Sequence, residues 1–151
     1  MKRTLFIATP ISAFGSNEEL FSFRSWLNVL IHGVKKECPG LSIEAEVLGI
    51  ESSKDYDDPE SSVVNDLAAI ERCTHFMMIY PKPLASSALI ELGYALAKEK
   101  PVLIMTRSID DLPSVIRLRY EQNDGVDVIR FKEGDGMLST IKNFLNKSAL
   151  F

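Results

Sequence analysis

The sequence is poor in most features that would tie it to a special environment. Its two cysteines among 151 residues, Cys38 and Cys73, stand far apart without metal-ligand spacing, which excludes a disulfide scaffold and a zinc-binding module. Both read as reduced thiols of a cytoplasmic protein. No apolar run approaches the ~18 residues of a membrane span. The opening MKRTLFIATPIS has a basic start, but its apolar stretch is short and lacks a cleavage pattern, so it reads as a first strand rather than a signal. Positive charge is also scarce: 17 Lys and Arg are scattered among 21 Asp and Glu, for a net charge of -4, and no basic stripe marks a nucleic-acid partner. The two histidines, His32 and His75, have no acidic or thiol partner nearby in sequence. A metal site or a Ser-His-Asp triad therefore has little support, and no cofactor is expected. The loop after the first apolar run lacks the glycines of a dinucleotide fingerprint or a P-loop. Internal repeats, low-complexity tracts and linkers are missing as well.

What remains is an ordinary globular composition, 46% hydrophobic and 25% charged, in a chain long enough for one domain that buries roughly two thirds of its unfolded surface. Thr4 to Ala8 is a continuous apolar run that ends at Thr9-Pro10, the pattern of a strand covered on both faces. Ser16 or Asn17 is placed to cap a helix in which Leu20, Phe23, Leu27, Leu30 and Ile31 recur at helical spacing until Cys38-Pro39-Gly40. Leu41 to Leu48 alternates as a half-exposed edge strand does. The polar run GIESSKDYDDPESS reads as a long loop, of the kind that often serves as a lid, whose Asp58 caps a helix from Glu60 to Arg72. That helix carries Val63, Val64, Leu67, Ala68 and Ile70 on a broad apolar side. Strand three is His75 to Tyr80, helix three Ser87 to Lys98, and strand four Val102 to Met105. Ile109 to Leu118 reads as a short helix interrupted by Pro113, Val126 to Phe131 as strand five, and Gly134 to Lys147 as a last helix. Buried strands alternating with helices predict a doubly wound α/β domain: five parallel strands in the order 2-1-3-4-5, over residues 1–151. The topological switch then falls between strands one and three, so Ala8 to Gly15 and Pro81 to Ser87 face each other across a crevice.

Two acids beside that crevice are the candidates for chemistry. Glu91 falls in the first or second turn of helix three, on the flank of a stripe formed by Ala88, Leu89, Leu92, Ala95 and Leu96. There a carboxylate is partly desolvated and close enough to the helix amino end to be held ionised, conditions that suit a nucleophile. The plainer reading is a glutamate that favours a helix start. Asp66, beside Asn65, is read on the side of its helix opposite Leu67 and Ile70; by itself it is a solvated residue. Ser86 and Ser87 can cap helix three or, with the amides behind them, hold a phosphate. Ala8, Thr9, Pro10 and Ser12 can offer backbone amides and hydroxyls to a sugar or phosphate. Arg107, just beyond strand four, can pair with phosphate or be a surface charge.

Asn65-Asp66-Leu67, the strand HFMMIY, and Glu91-Leu92-Gly93-Tyr94-Ala95-Leu96 running into Lys100-Pro101-Val102 resemble the nucleoside 2-deoxyribosyltransferases and the related nucleotide N-glycoside hydrolases. The likeness covers Asn65 to Met105 and, more loosely, the first strand and its loop. It implies a flavodoxin-like sheet, a small nucleoside or nucleotide as partner, Glu91 as nucleophile at the anomeric carbon, Asp66 as the residue that handles the base, and Tyr94 among the substrate-binding residues. The chain departs from the family at Leu84-Ala85-Ser86-Ser87, where members carry an acid or serine in a D-x-G or S-x-G loop. The missing carboxylate favours a phosphorylated ligand, because serines and helix amides accept phosphate where an acid repels it. A catalytically silent nucleotide-binding module and, more distantly, a TIR-like NAD glycohydrolase are the alternatives. Ile90, Tyr94 and Ala97 make helix three apolar nearly all round. Their face can lie under a neighbouring helix of the same chain or against a second subunit, and oligomers in the resembling family favour a homo-oligomer.

Overall fold

The computed structural model describes residues 2–49, 59–84, 86–131 and 136–147, with side chains on the second helix from Val64 onward. Five strands, β1 (Thr4–Ala8), β2 (Ser42–Ala45), β3 (His75–Tyr80), β4 (Val102–Thr106) and β5 (Val126–Arg130), form one sheet in the order β2-β1-β3-β4-β5, and every pair is parallel. The helices are α1 (Asn17–Glu37), α2 (Pro59–Arg72), α3 (Ser87–Ala97), α4 (Ser114–Glu121) and α5 (Gly136–Asn146). This is the flavodoxin-like, doubly wound arrangement that the alternation of elements predicts.

The central strands are apolar at every position because both of their faces are covered. On one face Leu5, Ile7, Met77, Ile79, Leu103 and Met105 pack under α1 and α5. On the other Phe6, Ala8, Phe76, Met78, Tyr80 and Ile104 pack under α2, α3 and α4. Phe6 and Phe76, neighbours on β1 and β3, stack with centroids 5.8 Å apart. Helix α1 begins at Ser16, whose hydroxyl accepts the Glu19 N–H, and its chain turns away through Gly40 at φ 86°, a left-handed conformation natural to glycine. Where α1 crosses α5, a β-carbon on Gly33 would come within 3.1 Å of the Leu138 side chain, so the small residue permits the close crossing.

Two elements differ from the sequence reading. The edge strand ends at Ala45 rather than Leu48, and Glu46–Gly49 curls into a 3-10 turn. Its last partner is Ile7, one residue before β1 ends; Pro10, two residues beyond that end, has no N–H with which to extend the ladder. Ile109 to Leu118 divides into a 3-10 turn at Ile109–Asp111 and α4, with Pro113 as the residue before the helix, since a proline restrains its predecessor from the helical region. Asp58, the polar loop before it, Ala85 and Gly134 lie outside the described residues.

Cys38 and Cys73 are free and buried. The Cys73 thiol donates to the Ile70 carbonyl, and burial pushes its pKa up to about 11, so it is an inert core group. His75 is structural too: its ring nitrogens meet the Thr74 hydroxyl at 2.8 Å and the Lys147 carbonyl at 3.2 Å, and burial lowers its pKa. Among the described residues no helix is long and apolar enough to cross a membrane.

Candidate active site

Glu91 sits in the second turn of α3, within the buried stripe rather than on its flank. Ala88, Glu91, Leu92 and Ala95 are the buried residues of this helix, at the i, i+3, i+4, i+7 spacing of a single face, and Glu91 keeps 7% of its surface exposed. Asp66 corrects the sequence reading. It lies one turn before Ile70 on the same buried side and is 8% exposed, whereas Val64 is 63% exposed and Ala68 points outward. The cause is tertiary: α2 packs between β1 and α3, so it buries the face that meets both, and that face begins with Asp66.

A third carboxyl completes the group. Glu46 stands in the 3-10 turn after β2, whose next residue, Val47, is buried in the core under α1. Arg24 of α1 fastens the same turn by donating to the Leu48 carbonyl at 2.7 Å. With Val47 drawn to one face of the sheet, Glu46 is presented on the other, where its side chain hydrogen-bonds Asp66. Phe6, Glu44, Ala45, Glu46, Asn65 and Asp66 line a hollow of about 420 Å³ here. The period of two in Ile43-Glu44-Ala45-Glu46 already places both glutamates on one side; an edge strand read as half exposed assigns that side to water.

The electrostatics follow from this crowding. Burial first, then the hydrogen bond to Glu46 and repulsion from Glu91, Glu46 and Glu44, push the Asp66 carboxyl up to about 9. Glu91 is pushed up to about 8 by burial and then by Glu46. The expectation that the helix end holds Glu91 ionised is therefore overturned: the helix dipole fades beyond the first turn, and loss of water around a carboxylate outweighs it. At neutral pH both groups carry protons, and Asp66 donates its own to Glu46.

The other predicted residues divide between the crevice and elsewhere. Ala8 and Pro10 are buried at the end of β1, Ser12 is exposed in the following 3-10 turn, and the buried Thr9 Oγ1 has no hydrogen-bond partner among the described residues. Ser86 caps α3 by accepting the Ala88 N–H at 3.2 Å, which leaves its hydroxyl hydrogen to donate, and Ser87 opens the helix beside it. The Tyr80 hydroxyl pins the intervening loop by donating to the Leu84 carbonyl. Lys82 of that loop comes within 3.9 Å of Glu19, whose carboxylate accepts the Gly15 N–H, so the two loops do face each other. Tyr94 is not brought to the crevice. Its hydroxyl donates to Glu71 in the last turn of α2, at 3.3 Å, with Lys98 against its ring. Tyr94→Phe is accordingly expected to leave KM for any substrate within about twofold of the parent, because it deletes a single exposed hydrogen bond; steady-state kinetics check this. Among the described residues no three His, Cys, Asp or Glu side chains converge to hold a metal ion.

No protein-family model matches the chain, and no curated protein matches its sequence. Among solved structures, a CMP N-glycosidase from Clostridium botulinum, BcmB, superposes with a TM-score of 0.61 over 93% of this chain and 99% of its own, at 18% identity. At that identity the likeness is one of fold: the two chains share their overall architecture.

Proposed function

We propose that this protein cleaves or transfers the N-glycosidic bond of a nucleoside or nucleoside 5-monophosphate, with Glu91 as nucleophile and Asp66 as acid and base. The observation that carries the reading is the meeting of carboxyls beside a doubly wound sheet: buried Asp66 is hydrogen-bonded to half-buried Glu46, and buried Glu91 is close enough to repel it. The shared architecture with a CMP N-glycosidase supports it.

On this reading each step falls to a residue of the carboxyl group. The Glu91 carboxylate attacks the anomeric carbon as the bond to the base breaks, and the proton held by Asp66 passes to the departing base nitrogen. A glycosyl ester on Glu91 results. Asp66, now ionised, takes a proton from water or from a second base as that molecule displaces Glu91, which restores both groups. Glu46 orients the Asp66 proton between turnovers. Thr9, Ser12, Ser86, Ser87 and the start of α3 offer hydroxyls and amides to the sugar and to a 5-phosphate. Chromatography of the purified protein with ribo- and deoxynucleosides, their monophosphates and NAD tests the reading: free base appears with at least one of them. Ligand-dependent stabilisation without product would mark a binding module instead.

The same reading includes a homo-oligomer. Ile90 is 66% exposed on the outer side of α3, and Gly93, one turn along, has nothing within 4 Å of where a β-carbon would sit, so a second copy can approach closely. Light scattering is expected to return at least twice the 16.9 kDa chain mass, and Ile90→Asp to lower it; a monomeric parent protein removes the argument.

A further inference from the structure

A second cavity, of about 770 Å³, opens on the opposite face of the sheet from Glu91 and Asp66, between the first turns of α1 and the ends of β3, β4 and β5. Four aromatic side chains form its wall in a continuous series: Phe14 to Phe23 at 4.8 Å between centroids, Phe23 to Trp26 at 5.5 Å, and Trp26 to Phe131 at 5.9 Å. Each packs one side on the core and is left partly exposed, lining the cavity with the other. The rings are tilted 41° to 50° to one another, so none is stacked face to face on the next. A concave aromatic wall of this size, with a few polar groups at its rim, is the usual form of a small-molecule site.

The charges at the rim indicate the guest. Glu19 is already engaged, accepting the Gly15 N–H at 2.8 Å and facing Lys82 at 3.9 Å, so that pair is neutralised internally. Arg107, exposed at the end of β4, has no ion pair among the described residues. Glu18 stands exposed in the first turn of α1, an acceptor for amino or hydroxyl hydrogens. We propose that this cavity is a second ligand site, taking a flat aromatic ring between Trp26 and its neighbouring phenylalanines and an anionic group on Arg107. The site shares no lining residue with the carboxyl group and stands independently of the reaction assigned to it.

Trp26 is the protein's single tryptophan, so its fluorescence reports this cavity directly. Four probes separate the requirements: adenosine 5-monophosphate and 4-hydroxybenzoate combine a ring with a phosphate or a carboxylate, adenosine has the ring alone, and ribose 5-phosphate the anion alone. Saturable quenching is expected with at least one combined probe, the stronger naming the anion. It should be weaker by about tenfold or more for the matching single-feature probe and for Arg107→Ala, with Arg107→Lys recovering part, as loss of a charge-assisted hydrogen bond requires. Glu91→Ala should leave the quenching unchanged even where it removes base release. Absence of saturable quenching by either combined probe, quenching indifferent to Arg107→Ala in a folded variant, or quenching lost in Glu91→Ala would each overturn the proposal.

Discussion

Replacing Glu91 with glutamine is expected to lower base release from the active nucleotide at least about a thousandfold, some 4 kcal/mol of barrier, because the amide retains the shape of the side chain but cannot form the glycosyl ester. Fold and ligand binding should persist, since a neutral side chain already occupies the site at pH 7. The pH profile carries the same prediction in another form. Attack requires Glu91 ionised, which burial delays to about 8, and departure of the base requires Asp66 protonated, which holds to about 9. The two carboxyls titrate as a coupled set, so kcat/KM should rise towards pH 8 and fall above about 9, an alkaline bell for a reaction run by carboxyls. Activity retained in Glu91→Gln, or a plateau extending down to pH 5, would refute the assigned roles.

Asp66→Asn should make the protein more stable at pH 8 while removing its activity. In the unfolded chain Asp66 and Glu91 release their protons near pH 4; in the folded chain they keep them to about 9 and about 8. Between these limits the native state binds more protons than the unfolded state, so stability is greatest in mild acid and falls as pH rises. The slope for one such group is about 1.4 kcal/mol per pH unit. Asparagine has no proton to keep and still donates to Glu46. At pH 8 the variant is expected to gain about 2 kcal/mol or more, a rise in Tm of about 5 °C; at pH 4.5 the difference should nearly vanish. Thermal unfolding followed by circular dichroism at both pH values decides the matter. Equal stability of the two proteins at pH 8 would mean that Asp66 is solvated after all.

A stabilising change at a position proposed to be catalytic is the signature of a site held against its own solvation, and that property is where sequence and structure part. The order of strands and helices was legible because it rests on short-range patterns: continuous apolar runs in β1, β3 and β4, a period near 3.6 in α1 and α5, and prolines and glycines where chain direction changes. Glu91 was legible through the residues around it, as part of Glu91-Leu92-Gly93-Tyr94-Ala95, and Ser86 through its position before α3. Asp66 is marked by the same resemblance, but the apolar residues Val64 and Ala68 suggest a helix face that the sheet does not use, both being exposed. Glu46 falls on the side of the edge strand that its alternation assigns to water.

The sequence by itself therefore determined the doubly wound sheet, its order and the two acids most worth testing, since each depends on neighbours within a turn or a strand. Only the tertiary structure decided which carboxyls meet and which carry protons. That outcome depends on Val47 sinking into one face of the sheet and turning Glu46 to the other, and on α2 burying Asp66 between β1 and α3. A carboxyl's charge is set by how much water its surroundings leave it, and for Asp66 and Glu91 those surroundings come from elements that local spacing does not connect.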